Sequence, residues 1–222
     1  MGVRGVRGAM GSLSLQAVCI DLLGQPLIPM LSADIAPGEC LTLMGPSGSG
    51  KSTLLSYLAG TLDAAFDARG RVHIGDDELT VLQPEQRGLG ILFQDDLLFP
   101  HLSVGGNLGF ALPAAVKPRA ARRQRIDAAL AQAGLAGFAD RDPATLSGGQ
   151  RARVALLRTL LAEPRALLLD EPFNKLDAQL RGEFRAQVFE HARQRHLPVL
   201  LVTHDQADAD AAGGHVIRLG NA

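Results

Sequence analysis

The segment Gly45-Pro46-Ser47-Gly48-Ser49-Gly50-Lys51-Ser52 has the spacing G-x-x-x-x-G-K-[ST]. Its glycines leave room for backbone N–H groups to wrap phosphate oxygens, which a Cβ would obstruct. A helix-forming stretch, Lys51–Gly60, follows an apolar strand-like run, so a helix N-terminus faces the same anion. Lys51 is placed to reach the β- and γ-phosphates and Ser52 to ligate Mg²⁺. This is a nucleotide site; alone it leaves ATPases, GTPases and small-molecule kinases open.

Leu167-Leu168-Leu169-Asp170-Glu171-Pro172 supplies a second chemical signal, a Walker B-like strand. A carboxylate at such a strand tip, Asp170, can bind Mg²⁺, and its neighbour Glu171 can polarise a water attacking the γ-phosphate. Pro172 ends the strand because it has no N–H to donate. An adjacent base favours hydrolysis over transfer to a small substrate. Leu146-Ser147-Gly148-Gly149-Gln150 opens a helix running to Leu161, and Ser147 with Gln150 fits the S-x-x-Q capping box. Capping leaves the two glycines unexplained, since each weakens a helix start by up to about 1 kcal/mol. They make sense where a phosphate or another backbone comes close.

The elements that must position these groups are short apolar runs: Glu39–Met44, Leu89–Phe93, Ala166–Leu169 and Pro198–Thr203. Each reads as a strand covered on both faces of a parallel sheet. They are followed, in turn, by the phosphate loop, Gln94, Asp170–Glu171 and His204. Ligands of open α/β sheets bind at the carboxyl ends of strands, so the four groups are expected along one sheet edge. Between Gln94 and Ser147 loop signals give way to a helix over Arg119–Ala133 with Ile126, Ala129 and Leu130 on one face, a mostly helical insert. Its basic run Lys117, Arg119, Arg122, Arg123, Arg125 reads as a solvated helix face. Residues 1–12, rich in Gly, Arg and Met, carry no periodicity or secretory pattern and are expected to be a disordered N-terminal segment.

The chain has 222 residues, 46% hydrophobic and 20% charged, with 22 basic and 23 acidic side chains for a net charge of -1. That near balance argues against a nucleic-acid-coating protein, and no apolar run approaches the roughly 18–20 residues that cross a bilayer. A mean hydropathy of +0.10 points to buried partner surfaces. Cys19 and Cys40 read as reduced core residues.

Leu146–Gln150 resembles the signature of ABC-transporter ATPases, and the resemblance runs from about Leu13 to Leu219. Six motifs fall in the family's order: phosphate loop, Gln94 as Q-loop, signature, Walker B, Asp177 as D-loop aspartate and His204 as switch histidine. Phe99–Val104 looks importer-like. The implied fold is α/β: a P-loop NTPase core with a mainly parallel sheet, an N-terminal antiparallel β subdomain, and a helical subdomain at about 95–150 within a domain spanning 13–222. The implied cofactors are ATP and Mg²⁺. Gly45, Pro46, Ser47, Gly48, Ser49, Gly50, Lys51, Ser52 and Thr53 would bind nucleotide in one subunit. Ser147, Gly148, Gly149 and Gln150 of a second copy would close over it, with Asp177 at the seam. Glu171, His204 and Lys51 would be catalytic, and Ser52, Asp170 and Gln94 would surround the metal.

The implied partners are a second copy of the chain, membrane permease subunits and a solute-binding protein, with no nucleic acid. The implied place is the cytoplasmic face of the membrane, held there by the permease. A soluble ABC-type ATPase for DNA or ribosome work would carry a coiled-coil insertion or a second ATPase domain; intact Lys51, Asp170, Glu171 and His204 argue against a degenerate module that binds nucleotide without turnover. Three departures stand out. Where the family stacks an aromatic residue on adenine, the chain reads Ile20-Asp21-Leu22-Leu23-Gly24, which predicts tolerance of GTP. Lys175 occupies a position that is usually small or uncharged, and no C-terminal regulatory domain is expected after His204.

Overall fold

The computed structural model describes residues 11–93, 95–174, 176 and 178–220. Gln94, Lys175 and Asp177, like residues 1–10, lie outside the described residues. β1 (Leu13–Leu22) and β2 (Gln25–Ile35) form an antiparallel hairpin, with Leu22 opposite Gln25. Its two-residue turn, Leu23-Gly24, has φ values of 51° and 78°. Positive φ at both central positions matches the twist of a hairpin, which explains the glycine. β4 (Phe66–Ile74) and β5 (Asp77–Glu78) extend this sheet in the order β2-β1-β4-β5.

The second sheet is parallel throughout its described pairings. It orders β6 (Leu89–Leu92), β7 (Ala166–Asp170), β8 (Val199–Thr203), β3 (Cys40–Met44) and β9 (His215–Arg218) side by side. The expected runs thus become strands with ends shifted by at most one residue, and β9 is an added fifth. β3 and β8 are buried along their whole length, as two-sided coverage demands.

Alternation along β7 separates two cores. Ala166 and Leu168 join Leu43, Leu200, and Leu54 and Leu58 of α1 (Lys51–Ala59), under the antiparallel sheet. Leu167 and Leu169 face the other way, toward α4 (Gly148–Leu161) and α5 (Ala178–Gln194). There Phe173 lies edge-on to Phe184 and Phe189, each at 5.9 Å between centroids. A third cluster joins α2 (Val104–Ala111), α3 (Arg119–Gln132) and α4 through Leu108, Ile126, Leu130 and Val154. α6 (Gln206–Ala212) follows β8.

Charged side chains lock two of these elements. Arg87 is buried and donates to the carbonyls of Tyr57 at 2.8 Å and Leu58 at 2.6 Å, satisfying the open end of α1. On α3 the basic run is internally engaged: Arg123 pairs with Asp127 and Asp140, both at 2.9 Å, and Arg125 with Glu163 at 2.9 Å. Arg122 donates to the backbone carbonyls of Gly109 and Pro113. Lys117 and Arg119 of the run are exposed. Cys40 is buried, which pushes its thiol up to about 12 and leaves it inert, and Cys19 is also free.

Candidate nucleotide site

The strand order decides the site. β8 lies between β3 and β7, so the ends of β3, β8 and β7 deliver the phosphate loop, His204 and Asp170–Glu171 side by side, about 4.8 Å per strand. Three of the four sequence-predicted groups converge as expected; Gln94 lies outside the described residues.

Gly45 begins the loop where nothing larger fits: a Cβ there would lie 2.8 Å from Leu219 O and from Ser49 Oγ. Gly48 and Gly50 have φ values of 84° and 83°, a left-handed backbone that turns successive N–H groups inward. Pro46, Ser47 and Gly48 are exposed, whereas Ser49 and Gly50 are buried. Gly50 caps α1 without a side-chain hydrogen bond, leaving the helix N–H groups open to an anion. Lys51 is buried, its Nζ donating to Gly45 O and Pro46 O at 2.8 Å each. Thr53 follows in the first turn of α1.

Ser52 Oγ donates to Asp170 Oδ1 at 3.1 Å. Burial raises the Asp170 carboxyl above its ordinary range; the Ser52 bond opposes this, the Glu171 charge adds to it, and Lys51 opposes it. An acceptor carboxylate beside a hydroxyl, both at a phosphate loop, is an oxygen donor set suited to a hard divalent cation. Glu171 has φ of 46°, uncommon for a residue with a side chain. Its Oε1 lies 3.1 Å from His204 Nδ1, and its Oε2 accepts from the Asn174 amide. His204 is 58% exposed, open to a ligand from the solvent side.

Ser147 caps α4: its Oγ accepts from Gln150 N at 3.3 Å, while Gln150 Oε1 accepts from Ser147 N at 3.0 Å. The capping box is therefore present. Ser147 is exposed and Gly149 buried. Among the described residues the polar contacts of this segment run to itself and to Arg151 and Arg153 of the same helix, and Arg151 also reaches Asp96, with none to the phosphate loop. A residue missed in the sequence lies at the fifth strand end: Arg218 shares a cleft of about 380 Å³ with Gly45, Pro46 and His204, its guanidinium donating to Gln206 at 2.9 Å. Its strand is mostly exposed and lacks the continuous apolar run that marks the others.

A phosphate loop, a carboxylate pair and a histidine on one edge of a parallel sheet define a nucleotide-hydrolysing protein of the P-loop class. The family model described as ABC transporter matches residues 29–174. The chain belongs to this family and is an ATPase of the ABC type. It is 49% identical over 199 residues to the uncharacterized ABC transporter ATP-binding protein YnjD of Escherichia coli (strain K12), covering 90% of this chain and 91% of that one. It is 43% identical over 192 residues to the diacetylchitobiose uptake system ATP-binding protein MsiK of Streptomyces coelicolor, 86% of this chain and 50% of that one. It is 40% identical over 209 residues to the Fe(3+) ions import ATP-binding protein FbpC 1 of Rhizobium meliloti, 94% of this chain and 58% of that one. The chain thus spans about half the length of the latter two. A solved dimeric structure of a post-hydrolysis state of the ATP-binding cassette MJ0796, bound to ADP and Pi, superposes with a TM-score of 0.80 at 29% identity, covering 93% of this chain and 94% of that one.

Proposed function

We propose that the chain binds and hydrolyses MgATP as the energy-coupling subunit of an importer whose permease is a separate chain. The observation that carries this reading is the position of Glu171, held beside His204 with only β8 between its strand and the strand that leads into the phosphate loop. In this reading the loop N–H groups, the α1 N-terminus and Lys51 hold the β- and γ-phosphates. Glu171 polarises a water for attack on the γ-phosphorus and takes up its proton. The bond to the bridging oxygen breaks, giving ADP and inorganic phosphate, while His204 orients the γ-phosphate and water. Ser52, Asp170 and Gln94 would hold Mg²⁺, which would offset the negative charge of the phosphates.

The exposed N-terminus of α4 suits closure over a second subunit's nucleotide, so Ser147, Gly148, Gly149 and Gln150 act across a head-to-tail dimer with Asp177 at its seam. The dimeric state of MJ0796 supports this arrangement. Among the described residues no helix is long and apolar enough to cross a membrane. A contact with permease subunits at the cytoplasmic face is supported by exposed Leu97 and Phe110, at 57% and 72%, beside Phe99, whose ring is 5.0 Å from Phe110. The relatives named for uptake and import support the direction of transport and, with it, a solute-binding protein as a further partner.

Glu171→Gln tests the core of this reading. The variant is expected to bind ATP with near-wild-type affinity, lose turnover and accumulate as an ATP-bound dimer by light scattering. Unchanged turnover would remove Glu171 from the mechanism.

A further inference from the structure

The turn after Pro172 does more than lead into α5. Asn174 donates its side-chain amide to Glu171 Oε2, on the opposite side of the carboxylate from His204. Asn174 is itself held in place: its N–H donates to Glu171 O at 3.3 Å, and its carbonyl is 3.5 Å from Arg181 Nη2. The same nitrogen donates to Leu176 O at 3.1 Å. The other end of the Arg181 guanidinium, Nη1, donates to Asp205 at 3.2 Å, the residue next to His204. Asp205 in turn caps α6 by accepting from Ala207 N at 2.8 Å, and its own N–H donates to Thr203 Oγ1 at 3.0 Å.

One planar cation therefore bridges the two loops that hold Glu171 from either side. Beneath it, Arg185 lies 3.1 Å from the fully buried Asp208, whose other oxygen accepts from Thr203. A glutamate side chain loses rotamer freedom when fixed, a cost these contacts meet during folding rather than at the reaction. A left-handed backbone at Glu171 also persists only where its surroundings over-determine it.

We infer that Asn174 and Arg181 are positioning residues: Asn174 aims the Glu171 carboxylate, and Arg181 ties that aim to the loop carrying His204. The inference rests on Glu171 being the hydrolytic carboxylate. Among the described residues the side-chain hydrogen bonds of Asn174 and Arg181 run to Glu171, Leu176, Asp205 and each other and not to the phosphate loop, so their loss is expected to act on the chemical step and not on binding. Lysine at 181 keeps the charge facing Asp205 but has no fork to reach the turn as well, so it restores part of the function.

The test is steady-state ATPase kinetics of the full chain for Asn174→Ala, Arg181→Ala and Arg181→Lys, beside Glu171→Gln, with melting temperature measured for each. Asn174→Ala and Arg181→Ala are expected to lower kcat roughly 10- to 100-fold while KM for ATP stays within about two-fold, with Arg181→Lys intermediate. A merely structural role would raise KM and lower the melting temperature in step with kcat. If Arg181→Ala fails to fold, Arg181→Lys and Asn174→Ala carry the test. Loss of turnover in Glu171→Gln with unchanged kcat in Asn174→Ala overturns the positioning role alone. Unchanged turnover in Glu171→Gln overturns the hydrolytic assignment and the positioning role with it.

Discussion

Ser52 and Asp170, 118 residues apart in the chain, meet through a hydrogen bond of 3.1 Å at the base of the phosphate loop. The contact joins the first turn of α1 to the tip of β7 and brings two oxygen donors to one point. Because burial dominates at Asp170, the proton and a divalent cation compete for that carboxylate.

The Mg²⁺-dependent part of ATP affinity is therefore expected to depend on acid pH. The folded-state value lies above the ordinary 3.8, so Asp170 keeps its proton to a higher pH than an exposed aspartate. By linkage its contribution to stability is present below the unfolded value and lost as pH rises through the raised one. Cation binding has the opposite sign, strengthening as pH rises through that same value. ATP titrations with and without Mg²⁺ across the acid range should show the increment growing with pH, and Asp170→Asn should abolish it. A flat increment would contradict the assignment.

Lys51→Ala removes a buried ammonium that holds the loop through Gly45 and Pro46. Hydrogen bonds to charged groups contribute about 1.5–3 kcal/mol, so ATP affinity should fall at least ten-fold. Isothermal titration with ATP measures this; wild-type affinity would place the phosphates elsewhere.

Gly45→Ala places a methyl 2.8 Å from Leu219 O and Ser49 Oγ. Overpacking of this kind costs about 1–3 kcal/mol, or roughly 2–4 °C in melting temperature for each kcal/mol in a domain of this size. Thermal melts should show that loss together with weaker nucleotide binding, and an unperturbed melt would mean that the β3–β9 seam relaxes freely.

The nucleobase should be weakly selected. Leu23 at the hairpin tip is 87% exposed, and Leu27 and Ile28 pack against Gly50. Aliphatic contact gives neither the directional stacking nor the extra ~0.5–1.5 kcal/mol of an aromatic pair. Competition between ATP and GTP should show affinities within about ten-fold, and Leu23→Tyr should tighten both. A strong preference for ATP would refute this.

The chemistry was legible in the sequence wherever it sat in a continuous pattern. The phosphate loop, the acidic pair after a leucine run and the Ser147–Gln150 cap are all local arrangements, and the buried strands β3, β7 and β8 reveal themselves by their apolar runs. What was hidden is order. Nothing local says that β8 lies between β3 and β7, yet that places His204 against Glu171. Asn174, Arg181 and Arg218 were equally silent, because single polar residues in a turn, on a helix and on an exposed strand acquire meaning only from the partners that the fold brings to them. Arg87 belongs with them, since its carbonyl partners lie 29 and 30 residues away.

The left-handed backbone at Glu171 sets the demands of folding and of turnover against each other at one position. A non-glycine residue there costs roughly 1 kcal/mol that glycine would not incur. A search guided by thermal resistance alone therefore has a local incentive to discard the side chain on which hydrolysis is proposed to depend. Engineering for robustness should hold position 171 constant and seek its gains elsewhere.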